Sequence, residues 1–271
     1  MARLRLDQLL VQRGLAPSRE KARGMILAGE VQVDGHMVDK AGTAVEEMAE
    51  LEIFSRQLRY VSRGGLKLEG AINDLAVDFA GRTVMDVGAS TGGYTDCALQ
   101  HGASQVYAVD VGYGQLDWKL RQDPRVVNME RCNIRQVRLE DIGKQFDIIT
   151  MDVSFISTRL IFPVLKPLLK PEGVILSLIK PQFEAGRKQV GKKGVVRDPE
   201  IHRQVLLQCI AAAAEQELRC VAISYSPLRG PEGNIEYFIL LAPGAGPAAV
   251  GADQVDRTVQ AAHHSVKVGE L

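Results

Sequence analysis

From about residue 82 the chain repeats one alternation, and no other feature restricts its fold as much. "TVMDVGA", "QVYAVDV", "RVVNM", "FDIITMDV" and "GVILSLIK" are short apolar runs rich in β-branched residues. Each reads as a strand. Helical stretches lie between most of them, notably 92–101 and 157–169. Parallel strands need such crossovers, so the pattern predicts an α/β fold with a doubly wound, mostly parallel sheet. The end of the chain departs from it. A helix over 199–217 follows Asp198-Pro199, and then "CVAISYS" and "NIEYFILLA" are separated only by a Gly/Pro-rich turn. That connection is too short for a parallel crossover, so the last strand is expected to be antiparallel. A Gly/Ala/Pro stretch opens at Pro243, and "ADQVDRTVQAAHHSV" predicts a closing helix. His202 is read as part of a helix, and His263-His264 as surface residues.

Residues 3–54 read as a separate small module. "RLDQLLVQRGLA" puts Leu6, Leu9 and Leu10 on one helical face and ends at Gly14. "PSREKARGMILAG" starts with Pro17 and Ser18 and stops at Gly29. "EVQVDGHMV" alternates valines around Asp34-Gly35, a strong hairpin signal, and "AELEIF" closes the module. Its charge is polar: residues 1–29 hold six basic and two acidic side chains, residues 30–53 one lysine and seven carboxylates. The expected organisation is 1–58 for this module, 59–64 as linker, 65–242 for the sheet domain and 243–271 as tail.

Composition narrows the function class. Lys and Arg total 33 against 33 Asp and Glu, so net charge names no partner. The apolar runs fall far short of the roughly 18 residues of a spanning helix, and "MARLRLDQLL" lacks a secretory apolar stretch. Cys97, Cys132, Cys209 and Cys220 are scattered, with no CxxC pair, which fits reduced cytoplasmic thiols and no metal site.

"VMDVGASTGGYTDCALQHGA" is a strand, a glycine-rich turn and a helix. Gly88, Gly92 and Gly93 let backbone approach a ligand at the carboxyl end of the first strand. The spacing is GxxxGG rather than GxGxxG, and no Gly-Lys-Ser/Thr follows, so neither a pyrophosphate fingerprint nor a P-loop is present. Such a turn suits a nucleoside ligand without phosphates. Asp110, 22 residues after Gly88, stands where ribose hydroxyls are bound, and Asn133-Ile134 after the third strand could hold a base. The candidate cofactor residues are Asp86, Gly88, Ser90, Thr91, Gly92, Gly93, Asp110, Val111, Asn133 and Ile134.

A lysine at the end of a buried strand is costly unless paired. Lys180 ends the fifth strand and Asp152 the fourth, so neighbouring parallel strands bring them to one edge. Glu236 begins the antiparallel last strand, hence at the same edge, and Lys67 lies on the helix leading into the domain. This Lys–Asp–Lys–Glu order resembles the FtsJ-like ribose 2′-O-methyltransferases. "YVSRGGLKL", "DVGASTGGYTDC", "AVDVGYGQL", "MDVSFIS", "IKPQFE" and "GNIEYF" look like the TlyA, or haemolysin A, family, over almost all of residues 3–241. The leading module is similar to the αL RNA-binding domain of a ribosomal small-subunit protein.

The resemblance implies a Rossmann-like methyltransferase sheet, S-adenosyl-L-methionine as cofactor, and ribosomal RNA within ribosomal subunits as substrate, with a cytidine 2′-hydroxyl as acceptor. Lys67, Asp152, Lys180 and Glu236 are then catalytic. Lys180 as a neutral amine would take the hydroxyl proton, Asp152 would orient it, and Lys67 and Glu236 would position the acceptor. Arg3, Arg5, Arg19, Lys21 and Arg23 are candidate phosphate contacts. Ser62 and Arg63 of "RYVSRGG" join them, as do Arg187 and Lys188 of a basic loop with glycines at 186, 191 and 194. Two other readings stand beside this one: a membrane-active haemolysin, which no spanning or basic amphipathic segment supports, and a non-enzymatic RNA-binding assembly factor.

Overall fold

The computed structural model describes residues 3–27, 30–38, 40–53, 59–191 and 194–265. Gly29, the bridge residues 54–58, Lys192 and Lys193 lie outside the described residues. The chain divides into two compact units, 1–58 and 59–271.

In the first unit, strand β1 (Arg3–Arg5) leads into helices α1 (Leu6–Gln12) and α2 (Arg19–Leu27). Four short strands follow: β2 (Val31–Val33), β3 (His36–Met37), β4 (Ala44–Glu46) and β5 (Leu51–Ile53). Leu6, Leu9 and Leu10 are buried with Ala22 and Ile26 of α2, which the 3.6-residue period dictates. The Ser18 hydroxyl accepts from Lys21 N–H at 3.2 Å and caps α2. The β2–β3 hairpin turns on Asp34 (φ 49°) and Gly35 (φ 77°), the left-handed pair that a tight hairpin needs. β4 pairs with β1 and was not expected, because three residues with one buried valine give no alternation to read.

One feature modifies the basic face. Asp7 is fully buried and bridges Arg5 (3.0 Å) and Arg19 (3.1 Å). The Arg5 hydrogen bond, with Arg19 behind it, holds the Asp7 carboxyl below its ordinary range despite burial. These two arginines are half-exposed and tethered, whereas Arg3, Lys21 and Arg23 project into solvent.

The second unit opens with α3 (Gly64–Leu75) and then alternates: β6 (Thr83–Val87), α4 (Gly93–Gln100), β7 (Gln105–Val109), α5 (Trp118–Gln122), β8 (Val126–Met129). Next come α6 (Leu139–Ile142), β9 (Phe146–Met151), α7 (Phe162–Leu168), β10 (Leu169–Ile179) and α8 (Pro181–Glu184). The long helix α9 (Pro199–Ala214), β11 (Leu218–Tyr225), β12 (Tyr237–Pro243) and α10 (Ala252–Ser265) complete it. The seven strands lie in the order β11-β12-β10-β9-β6-β7-β8. β12 is antiparallel to both its neighbours, and the remaining pairs are parallel.

Alternate strand residues feed two cores. Met85, Ile149, Ile175 and Ile239 pack with α7, α9 and α10, while Val84, Ile148, Leu176 and Phe238 pack with α3 and α4 on the other face. Both faces are covered, which is why the strands lack polar alternation. The stretch expected as helix 157–169 is a single 3-10 turn (Thr158–Leu160) followed by α7, and β10 starts already at Leu169. The Pro171-Glu172-Gly173 interruption hides this early start, and the register shifts between Leu169 and Val174.

Residues 59–63 of the expected linker pack into this unit. Tyr60 is 1% exposed in the α3–α4 core, and Val61 N–H donates to Asp96 at 2.8 Å. α10 likewise buries Val255, Val259 and Ala262 in the main core. His263 is no plain surface residue: its Nε2 lies 3.1 Å from His202 Nδ1.

His202 itself is fully buried, with Tyr237 Oη at 2.8 Å and the Val196 carbonyl at 3.0 Å. Burial first, and His263 in addition, lower its pKa to about 4. The unfolded imidazole takes a proton near 6.5, so the unfolded state binds more protons between these values. His202 therefore contributes stability in full above about pH 6.5 and loses it as pH falls toward 4, by at most about 3 kcal/mol. Urea midpoints measured at pH 7 and pH 5 should fall accordingly, and His202→Gln should flatten that dependence.

Candidate active site

Four parallel strands each end one residue before a candidate side chain or turn: Gly88 after β6, Asp110 after β7, Asp152 after β9 and Lys180 after β10. The strand order reverses between β6 and β9, so Gly88 and Asp152 flank the switch point where open α/β sheets bind ligands. Gly88 adopts φ 86°, and a Cβ there would lie 2.3 Å from the Asp152 carbonyl oxygen. No other residue fits. Gly88→Ala should lower stability by about 1–3 kcal/mol through backbone strain alone, measured as a shift in urea midpoint.

Two cavities meet here. One of about 570 Å³ is lined by Gly88, Ser90, Asp110, Val111, Asn133, Ile134, Asp152 and the 153–156 loop. The other, about 220 Å³, shares Gly88, Ser90 and Asp152 and adds Ser62, Arg63, Lys67, Thr91, Gly93, Tyr94 and Arg229. Asp110 is held in place by two backbone donors, Gly112 N–H (2.6 Å) and Ser90 N–H (2.8 Å). Asn133 caps the short turn after β8 through Arg135 N–H at 3.1 Å.

The four charges form two pairs. Lys180 Nζ lies 2.5 Å from Asp152 Oδ1, and Lys67 Nζ lies 2.6 Å from Glu236 Oε2. Antiparallel pairing sets Tyr237 opposite Ile179, which brings Glu236 to the edge where Lys180 stands. The Lys180–Asp152 contact is an ion pair without hydrogen-bond alignment at Oδ1, and the lysine's directed bond goes to Ser154 Oγ at 3.0 Å. All four side chains are largely buried; Glu236 is 1% exposed. Lys67 and Asp152 line the cavity, and each is paired directly with its partner, Glu236 and Lys180.

Not every expected residue reaches a cavity. Asp86 is buried in the sheet, its carboxylate accepting from the Thr95 (2.7 Å) and Thr150 (3.1 Å) hydroxyls. Burial raises its pKa to about 6. Its role in the structure is to tie β6 to α4 and β9, and it lines neither cavity. Gly92 (φ 95°) is also buried behind the turn, against Leu116 and Leu120. Arg187 and Lys188 are exposed on a 3-10 turn.

Three residues escaped the sequence reading. Tyr94 is 4% exposed, lines the smaller cavity, and its hydroxyl has no hydrogen-bond partner. Phe155 is 91% exposed with φ 64°, its ring 5.0 Å from that of Phe183. A bulky side chain held in that backbone region and bared to solvent is a candidate for contact with a ligand. Arg229 enters from the β11–β12 loop. Only "MDVSFIS", "GGYTDC" and "PLRGPEG" as motif neighbours could have flagged them.

Residues 60–242, well over half of the chain, match the FtsJ-like methyltransferase family. The chain belongs to that family. This FtsJ-like methyltransferase carries an S4 domain over residues 4–51. It is 50% identical over 267 residues to YqxC of Bacillus subtilis, covering 97% of this chain and 95% of that one. It is 46% identical over 240 residues to the 16S/23S rRNA (cytidine-2′-O)-methyltransferase TlyA of Mycobacterium tuberculosis, covering 88% and 90%. A solved hemolysin-named structure from Streptococcus thermophilus superposes with a TM-score of 0.79 at 41% identity, covering 98% of each chain. Among the described residues, no helix is long and apolar enough to cross a membrane, and no group of three or more His, Cys, Asp or Glu could hold a metal.

Proposed function

We propose that this methyltransferase moves a methyl group from S-adenosyl-L-methionine to a cytidine ribose 2′-hydroxyl of ribosomal RNA, in ribosomal subunits of the cytoplasm. The observation that carries this reading is the pair of buried ion pairs, Lys180–Asp152 and Lys67–Glu236, at one edge of the sheet beside a nucleoside-sized cavity. The rRNA (cytidine-2′-O)-methyltransferase activity of the Mycobacterium tuberculosis relative and the S4 domain supply the substrate class.

The cofactor fits the residues present. Asp110, fixed by two amides, offers free lone pairs to ribose hydroxyls; Val111, Asn133 and Ile134 border the place for the adenine. The cradle at Gly88 is one that a Cβ would fill. When bound, the cofactor supplies a methyl carbon already activated by its sulfonium. The chain supplies alignment and a proton acceptor. Lys180 is the group placed to take the 2′-hydroxyl proton; Asp152 and Ser154 fix where its nitrogen points. Lys67, steadied by Glu236, donates to the acceptor ribose. Phe155, resting on Phe183, offers a face on which the acceptor base stacks. Arg3, Lys21 and Arg23 give phosphate affinity without sequence readout.

The test is transfer of labelled methyl from S-adenosyl-L-methionine to ribosomal subunits lacking the modification. Label recovered after digestion as 2′-O-methylcytidine supports the reading. Label on a base, or none on either subunit from a folded, cofactor-binding protein, removes it in favour of another RNA acceptor or an assembly role.

A further inference from the structure

The smaller cavity does not end at the ion pairs. Arg229 lines it together with Arg63, Lys67 and Tyr94, and lines as well a separate groove of about 400 Å³ formed by Val195, Val196, Arg197 and Glu232. That groove shares no residue with the nucleoside cavity, so Arg229 links the reaction centre to a groove that the nucleoside cavity does not reach.

Both walls are built. The loop carrying Arg229 is closed by Gly230 N–H to the Asn234 carbonyl (2.9 Å) and Gly233 N–H to the Gly230 carbonyl (2.8 Å). Arg229 donates to the Gly233 carbonyl at 3.2 Å. Gly230 packs on Glu236 so tightly that a Cβ would lie 2.7 Å from its Oε1, which locks the loop to the ion-pair cluster. The Arg197 wall is clamped by the buried Asn234 side chain, which accepts from Val196 N–H at 3.0 Å and donates to the Gly194 carbonyl at 2.9 Å. A guanidinium on an ordered loop, between a ribose-sized reaction centre and a groove bearing a second arginine, has the chemistry of a phosphate contact.

We propose that Arg229 binds the backbone phosphate adjoining the acceptor ribose, and that the strand continues along the groove past Arg197. The inference rests on the RNA methyl-transfer reading above for the identity of the acceptor. Glu232, exposed on the same groove, repels a phosphate placed beside it.

The experiment measures equilibrium binding of full-length protein to ribosomal subunits lacking the modification, over a salt series, alongside binding of S-adenosyl-L-methionine and steady-state methyl transfer. Arg229→Gln is expected to weaken subunit binding about five- to tenfold and to flatten the log–log salt slope by about 0.7–0.9, the value of one phosphate contact. The KM for subunits rises with it, while cofactor affinity stays within about twofold. Arg229→Lys keeps the slope, and Arg197→Gln flattens it in the same sense. Unchanged subunit affinity and slope in both glutamine variants would overturn the proposal. So would an equal loss of cofactor affinity in Arg229→Gln, which would make Arg229 a site for the cofactor's carboxylate. If wild type transfers no methyl, the functional reading fails, yet the salt slopes still decide whether Arg229 meets a phosphate.

Discussion

Lys180→Ala is expected to lower the single-turnover rate of methyl transfer by about 10²–10⁴-fold, the range for losing a positioned proton acceptor, with S-adenosyl-L-methionine affinity within about threefold. The side chain does not line either cavity wall that would contact the cofactor, so its loss leaves that binding intact. It is 11% exposed and held by Asp152 at 2.5 Å and Ser154 at 3.0 Å, so no water-borne base has free access to its place. Lys67, the other amine of the cluster, is engaged by Glu236 at 2.6 Å and cannot swing over without leaving a buried carboxylate bare. Asp152→Asn is a useful companion: it keeps shape, removes the charge that aims Lys180, and should slow transfer less than loss of the lysine. A Lys180→Ala protein that retains more than about a third of the wild-type rate would remove Lys180 from the mechanism, because general-base loss does not leave so much.

The strand tips explain why so much of this site was legible in the sequence. An apolar run must be a buried strand, and a charged residue straight after it must stand at the sheet edge; alternation of strands and helices then says which edge. Asp110, Asp152 and Lys180 follow from that reasoning, and Glu236 follows once the short β11–β12 turn makes the last strand antiparallel. What lay hidden depends on contacts far apart in the chain. Asp86 has the same local setting as Asp110 yet points into the sheet, and only Thr95 and Thr150 reveal it. Tyr94 is one more residue of a helix in sequence and a cavity-wall side chain in space. The basic run before residue 29 looks uniform, but Asp7 ties Arg5 and Arg19 and leaves Arg3, Lys21 and Arg23 projecting. Tyr60 turns an expected linker into core because Gly65 leaves room for its ring; a Cβ there would meet it at 2.3 Å.

Lys67→Met should destabilise the fold by about 3–5 kcal/mol, the cost of breaking a buried ion pair from one side. The reason is Glu236, 1% exposed, whose partner at 2.6 Å would be gone while Gly230 closes against its other oxygen. Urea midpoints read the loss directly. In Lys67→Met/Glu236→Gln the stranded charge is removed as well, and a large part of the stability should return, since replacing both members of a buried pair is often neutral or favourable. Methyl transfer should not return with it. That combination separates two roles that a single substitution merges: a pair kept for stability would be dispensable once both charges are gone, whereas a pair kept for chemistry leaves a well-folded protein that cannot position the acceptor ribose. A single variant within about 1 kcal/mol of wild type would mean that Glu236 finds water or another donor, and the edge would then be a solvated surface pair rather than a built reaction centre.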